Sequence, residues 1–254
     1  MNGSMSREQL VHRRVEVAAP ARRAITLNPL ALFWKTAVGK KIVMATTGAV
    51  LVLFVIMHMV GNLKILHGPD EINAYAAFLR EVGQPELGYG QLLWIVRIAL
   101  LVCVFLHVTA AVQLTRMNQQ ARPVGYNTKT NKETTFAAMT MRWGGFLLLI
   151  FVVFHLLHLT AGAVGFQAGQ FKHLAVYQNV MAAFKVWPVA VFYIVAMAAL
   201  GMHLYHGIWS ALQTLGFITS RNTRTLRNIC RLVALIIFIG FVSVPVSVLA
   251  GWLQ

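Results

Sequence analysis

Six of the nine histidines in this chain, His58, His107, His155, His158, His203 and His206, lie in stretches apolar enough to cross a bilayer. An ionisable side chain within hydrocarbon is costly to place and marks a functional site by default. Imidazole offers two chemistries at such a site. Neutral, it ligates metal ions; switching between its neutral and charged forms, it relays protons. The six recur in four successive apolar segments, so the elements that carry those segments decide which residues can meet.

The chain has 254 residues, 58% hydrophobic and 11% charged, against about 25% charged in an ordinary soluble domain. Five windows reach the roughly 20 apolar residues that a span requires: 42–66, 91–115, 143–166, 188–213 and 229–253. In lipid every backbone group must be satisfied within its own element, so these windows are helices and not open strands. The expected fold class is an all-α integral membrane protein whose five transmembrane helices form one bundle over residues 41–254. A basic tail over residues 1–40 precedes it. The first 35 residues lack the apolar core of a signal peptide, and Pro20 and Pro29 interrupt them.

A net charge of +15 could suggest nucleic acid, but its distribution argues otherwise. Eight basic residues precede the first span, five lie from Arg116 to Arg142, and Arg221, Arg224, Arg227 and Arg231 lead into the last span. Only Lys64, Arg80, Arg97, Lys172 and Lys185 fall on the opposite side. By the positive-inside rule the N-terminus is expected in the cytoplasm and the C-terminus outside. The basic excess reads as topology and as attraction to anionic headgroups or an acidic partner, with no nucleic-acid partner expected.

Between spans one and two, HGPDEINAYAAFLREVGQPELGYG carries four of the seven acids and a helical stripe of Ile72, Tyr75, Ala76 and Leu79. It predicts a short amphipathic helix on the outer surface. The polar stretch from Asn118 to Glu133 predicts an exposed loop. Pro188 is placed to open span four, and Pro245 to kink span five, which holds no histidine. A short echo links spans one and three: FVIMH ends at His58 and FVVFH at His155, each with a Phe four residues before the His. It favours His155 over His158 as the counterpart of His58.

Helical rise converts these positions into depths. At 1.5 Å per residue, His58 lies about 24 Å from the cytoplasmic start of span one, in the outer part of a core about 30 Å thick. His155 lies about 18 Å from the same face, with His158 about 4–5 Å further out. His107 and His203 each lie about 22 Å from the outer face. His58 and His155 therefore share an outer level, and His107 and His203 an inner one. Two histidines at one depth on different helices can supply both axial ligands of a haem iron, a six-coordinate arrangement suited to electron transfer. Ligation takes the neutral imidazole, the form that burial favours. His158 and His206, three residues beyond a candidate ligand, point roughly 60° away around the helix and suit hydrogen bonding to a ligand or a haem propionate.

Other readings stand beside this one. Interhelical hydrogen bonding or a histidine-using transporter would also place imidazoles in spans, although no span contains Asp or Glu. An iron–sulfur centre with two His and two Cys ligands is conceivable because Cys103 precedes His107 by one turn. Cys230 differs from it in depth by roughly 10–15 Å. Zinc would want four ligands at one level. Both cysteines otherwise read as small buried hydrophobes.

With the histidines placed, residues 40–254 resemble the single-subunit dihaem cytochrome b, of the b558 class, that anchors succinate:quinone oxidoreductases (succinate dehydrogenase and fumarate reductase). The resemblance rests on HMVGNL from His58, INAYAAFLREVG from Ile72, HVTAAVQL from His107, FHLLHLT from Phe154 and MHLYHGIWSALQTLG from Met202. It implies two b haems, one on His107 and His203 near the catalytic subunits and a distal one on His58 and His155. It implies a flavoprotein and an iron–sulfur subunit as partners, a bacterial plasma membrane, and quinone, menaquinone in particular, as electron acceptor. Succinate chemistry would belong to the partners and not to this chain. A dihaem cytochrome b serving another dehydrogenase would look similar, and the GN after His58 and the HGIWSALQTLG run favour the first assignment. Thr46, Thr47, Lys64, Arg97, Arg142 and Trp143 are candidate propionate partners. Glu81 and Tyr89 are candidates near a quinone, whose reduction takes up two protons. Gly201 and Met202 stand where some family members carry an acid before the span-four ligand, so carboxylate-borne proton movement there is not expected.

Overall fold

The computed structural model describes residues 28–121 and 136–253. The tail before residue 28 and most of the polar loop after Asn118 lie outside the described residues. Among the described residues eight α-helices follow one another: α1 (Pro29–Lys35), α2 (Ala37–Leu63), α3 (Pro69–Glu81), α4 (Gln91–Gln120), α5 (Phe136–His155), α6 (Val176–Phe184), α7 (Trp187–Thr214) and α8 (Thr223–Leu249). Among the described residues there is no strand, and α2, α4, α5, α7 and α8 are long and apolar enough to cross a membrane. The chain is an all-α, multi-pass membrane protein.

Local chemistry explains where these helices start and stop. Part of the expected tail is helical: Asn28 caps α1 by accepting a hydrogen bond from the Leu30 amide at 3.0 Å. Thr36 breaks the chain and caps α2 by accepting from the Gly39 amide at 2.8 Å. Lys40 turns back to donate to the Trp34 carbonyl, tying α1 to α2. A 3-10 turn, Lys64–His67, closes α2, and Gly68 at φ 105° redirects the chain so that Pro69 can open α3.

The third span ends earlier than hydropathy implies. It closes in a π-helical turn, Leu156–Thr160, and not at residue 166, because Gly162 and Gly165 hold positive φ of 64° and 78° and leave the helical region. The fifth span starts earlier, at Thr223 and not at 229; its first turns carry Arg224, which is exposed, and Arg227, which lies over the Trp209 ring at 4.8 Å. Pro188 sits in the first turn of α7 as expected. Pro245 lies within α8, which continues through it to Leu249.

The amphipathic segment after span one forms α3 and buries Ile72 and Ala76. It does not lie alone on the surface. It packs against α6, a helix that the sequence reading did not include, through Asn73, which accepts from the Tyr177 amide at 3.1 Å and donates to Gln178 at 3.4 Å. Ile65, Ile72, Tyr177, Met181 and Phe184 join Tyr193, Met197 and Val244 in a core at this end of the bundle. The opposite end carries the basic segments.

Within the bundle α7 packs closely on α8, α2 on α4, α5 on α7, and α2 also on α7 and α8. Among the described residues α4 is not closely packed on α5 or α7, and α2 is not closely packed on α5. Accordingly 33% of the apolar window of α7, and of α8, is buried, but 11% in the third span and 6% in α4. Among the described residues the weakest packing of the bundle thus lies along α4 and α5.

Candidate functional site

Helices α2 and α5 approach through their histidines. The rings of His58 and His155 lie 5.9 Å apart, edge to face at 78°. Helices α4 and α7 do the same, with the His107 and His203 rings 6.3 Å apart and inclined at 56°. These are the two couples that helical rise places at common depths. In each, imidazoles reach across a gap that the helix backbones do not close.

Around His58 and His155 the walls are aromatic. Phe54 stacks on His58 at 5.3 Å and 15°, and Phe151 on His155 at 5.7 Å and 25°. The echo between spans one and three thus has a physical basis, since a Phe one turn before each His covers its ring. Phe241 of α8 lies 5.9 Å from His58. The Asn62 amide, one turn on, contacts His58 Nε2 at 3.4 Å. His155 Nδ1 lies 3.4 Å from the Tyr193 hydroxyl, and His158 Nδ1 lies 3.0 Å from the same oxygen. His158 is fully buried between Phe154 and Phe166. Its Nε2 has no hydrogen-bond partner among the described residues.

Around His107 and His203 the walls are backbone and small side chains. His107 Nδ1 lies 3.1 Å from the Met44 carbonyl and 3.4 Å from Thr47 Oγ1, which itself donates to the Val43 carbonyl at 2.7 Å. Nδ1–H therefore donates to Met44, and Nε2 keeps its lone pair. Gly48 lets α2 approach so closely that a Cβ there would stand 3.3 Å from His107 Cε1. At Gly145 a Cβ would stand 3.7 Å from His203 Cε1, an ordinary contact. A very small cleft beside His203 is lined by Met141, Gly144, Ala199 and Met202. His203 Nδ1 is buried without a partner among the described residues. His206, one turn on, is half-buried.

A metal held between two imidazoles at about 2 Å from each nitrogen sets their ring centres about 6 Å apart. Both couples have that spacing. Among the described residues no three or more His, Cys, Asp or Glu converge on one point. The iron–sulfur and zinc alternatives would need such a gathering. Cys230 is fully buried, whereas Cys103 is only half-buried, and both are free thiols. The donor set offered is therefore neutral nitrogen, two by two, in an apolar setting. It fits haem iron with both axial positions filled. His203 keeps a buried ring nitrogen without a partner among the described residues, which agrees with a further group at this couple.

The other expected participants are more scattered. Thr47 alone among the candidate propionate partners reaches a histidine. Thr46 donates to the Ile42 and Val43 carbonyls of its own helix. Arg97 lies over the Trp94 ring, and Arg142 and Trp143 are exposed. Lys64 pairs with Glu71 at 3.4 Å and lies over the Tyr75 ring. Glu81 and Tyr89 are exposed. Gly201 faces α8, where a Cβ would stand 3.6 Å from Phe238.

Sequence reasoning missed Tyr193, whose hydroxyl lies within hydrogen-bond distance of both His155 and His158. A hydroxyl embedded in the apolar run VFYIVAM is itself a signal, because buried Tyr seeks a polar partner. No protein-family model, curated protein or solved structure matches this chain.

Proposed function

We propose that this chain is a dihaem cytochrome b that anchors a succinate:quinone oxidoreductase in a bacterial plasma membrane and carries electrons to quinone. The observation that carries the proposal is the spacing of two histidine couples, 5.9 and 6.3 Å between rings, each joining helices that are otherwise apart. His107 and His203 would hold one haem b, and His58 and His155 the other. Each bound haem would supply a one-electron carrier with no vacant position for oxygen.

The protein's own part is to present nitrogen and exclude water. The Met44 carbonyl fixes the His107 tautomer, so its Nε2 is ready without rearrangement. Ligation at His58 Nε2 would replace only the long Asn62 contact of 3.4 Å. Phe54, Phe151 and Phe241 set the imidazole planes of the other couple. The couple of His107 and His203 lies toward the basic end, where a flavoprotein and an iron–sulfur subunit would dock from the cytoplasm. The other couple lies toward α3 and α6, the side on which menaquinone would be reduced. Both proposed faces follow from charge asymmetry, with the N-terminus cytoplasmic and the C-terminus outside.

The deciding experiment is a reduced-minus-oxidised visible spectrum of the purified protein with haem counted per polypeptide. We expect b-type bands, two haems per chain, and co-purifying flavin and iron–sulfur subunits. A histidine-using transporter would show no such bands. Haem with a different dehydrogenase attached would retain the cytochrome and remove succinate from the proposal.

A further inference from the structure

We infer that Tyr193 is a positioning residue that sets the proton of His155 and thereby lowers the reduction potential of the iron held by His155 and His58. The inference rests on the dihaem reading above.

The hydroxyl is placed between two imidazoles, 3.4 Å from His155 Nδ1 and 3.0 Å from His158 Nδ1. A tyrosine hydroxyl has one proton to donate and lone pairs to accept with. If His155 binds iron through Nε2, its proton must sit on Nδ1, and Nδ1–H can only donate to the Tyr193 oxygen. The hydroxyl proton is then committed to His158 Nδ1, the shorter contact. That leaves His158 with its proton on Nε2, the buried nitrogen without a partner. The chain of bonds therefore has one direction, from His155 through Tyr193 to His158.

The surroundings hold this direction in place. Tyr193 is 6% exposed and His158 is not exposed at all. The Tyr193 ring is wedged edge-on against Phe151 at 5.0 Å and Phe184 at 5.0 Å. Gly165 closes over His158, where a Cβ would stand 2.8 Å from Nε2, so a larger residue would push that ring off the hydroxyl. No water-sized polar alternative is needed to explain the arrangement.

An acceptor on Nδ1–H makes a ligand imidazole more basic and favours the more positively charged metal. The Tyr193 oxygen is a better acceptor because its own proton is given to His158. His107 receives the equivalent help from a backbone carbonyl, which no side-chain substitution removes. At the His58–His155 centre the help comes from a replaceable side chain, whereas at His107 the shorter contact is the Met44 carbonyl and the Thr47 hydroxyl stands further off, at 3.4 Å.

The test is a redox titration of Tyr193→Phe in the assembled, full-length protein, followed through its b-type absorbance. His155→Ala identifies which of the two components belongs to this centre. We expect Tyr193→Phe to keep two haems and shift the ferrous/ferric ratio of that component about tenfold toward ferrous, or about 59 mV upward. The other component stays in place. His158→Leu, which strips the hydroxyl of its own acceptor, shifts the same component in the same sense by about threefold. Two haems with neither component moved, or with both moved equally, overturns the inference. Should Tyr193→Phe not retain haem, His158→Leu decides by the same criterion. A wild-type protein without haem would instead sink the dihaem reading itself.

Discussion

His58 and His155 are held by rings, whereas His107 and His203 are held by backbone and by side chains that are not there. In the first couple, Phe54, Phe151 and Phe241 stand against the imidazoles, and a tyrosine supplies the hydrogen bond. In the second, a carbonyl supplies it, and Gly48 lets α2 come close to the His107 ring. The two solutions fail in opposite ways. An aromatic wall is sensitive to truncation, which leaves a void and frees a ring to turn. A glycine wall is sensitive to enlargement, which pushes a ring that has nowhere to go.

The largest effect should come from the imidazoles themselves. His107→Ala or His203→Ala is expected to remove one haem and spare the other, and His58→Ala or His155→Ala to do the converse. Haem content against protein level reads this directly. Loss of both haems in a variant that still inserts and assembles would break the division into couples. A smaller and more pointed effect is expected from Gly48→Val. Its branched side chain would press on the His107 ring at a cost of about 1–3 kcal/mol. Haem retention at that centre should fall about tenfold, with the His58–His155 centre unchanged in the visible spectrum. The smallest effect is expected from Thr47→Val. Thr47 stands 3.4 Å from His107 Nδ1, while the Met44 carbonyl at 3.1 Å remains. A change of more than about 1 kcal/mol in stability or haem affinity would mean that the hydroxyl, and not the carbonyl, fixes this ring.

The parts legible in the sequence are those that depend on one dimension. Span length and helical rise are constants, so five helices and the levels of four histidines can be counted along the chain. The stop of span three was less legible, since FHLLHLTAGAVG stays apolar while Gly162 and Gly165 turn the backbone out of the helix. Rotation about each helix axis was not legible at all. Tyr193 meets His155 and His158 because α5 and α7 present particular faces to one another, and no spacing along either helix reveals that. Helix α6 escaped for a different reason. VYQNVMAAF has apolar residues at helical spacing, but nine residues are too few to hold a helix without a partner. The partner, α3, lies about a hundred residues earlier.

The weak packing between α4 and α5 bears on how the four imidazoles would be reached under the dihaem proposal. Helix α4 is fastened to the rest of the bundle mainly along α2, and its opposite flank faces hydrocarbon. Under the dihaem proposal, a flat and apolar group would enter sideways along this flank, from among the acyl chains and not from water. Hydrated ions gain nothing from such a doorway.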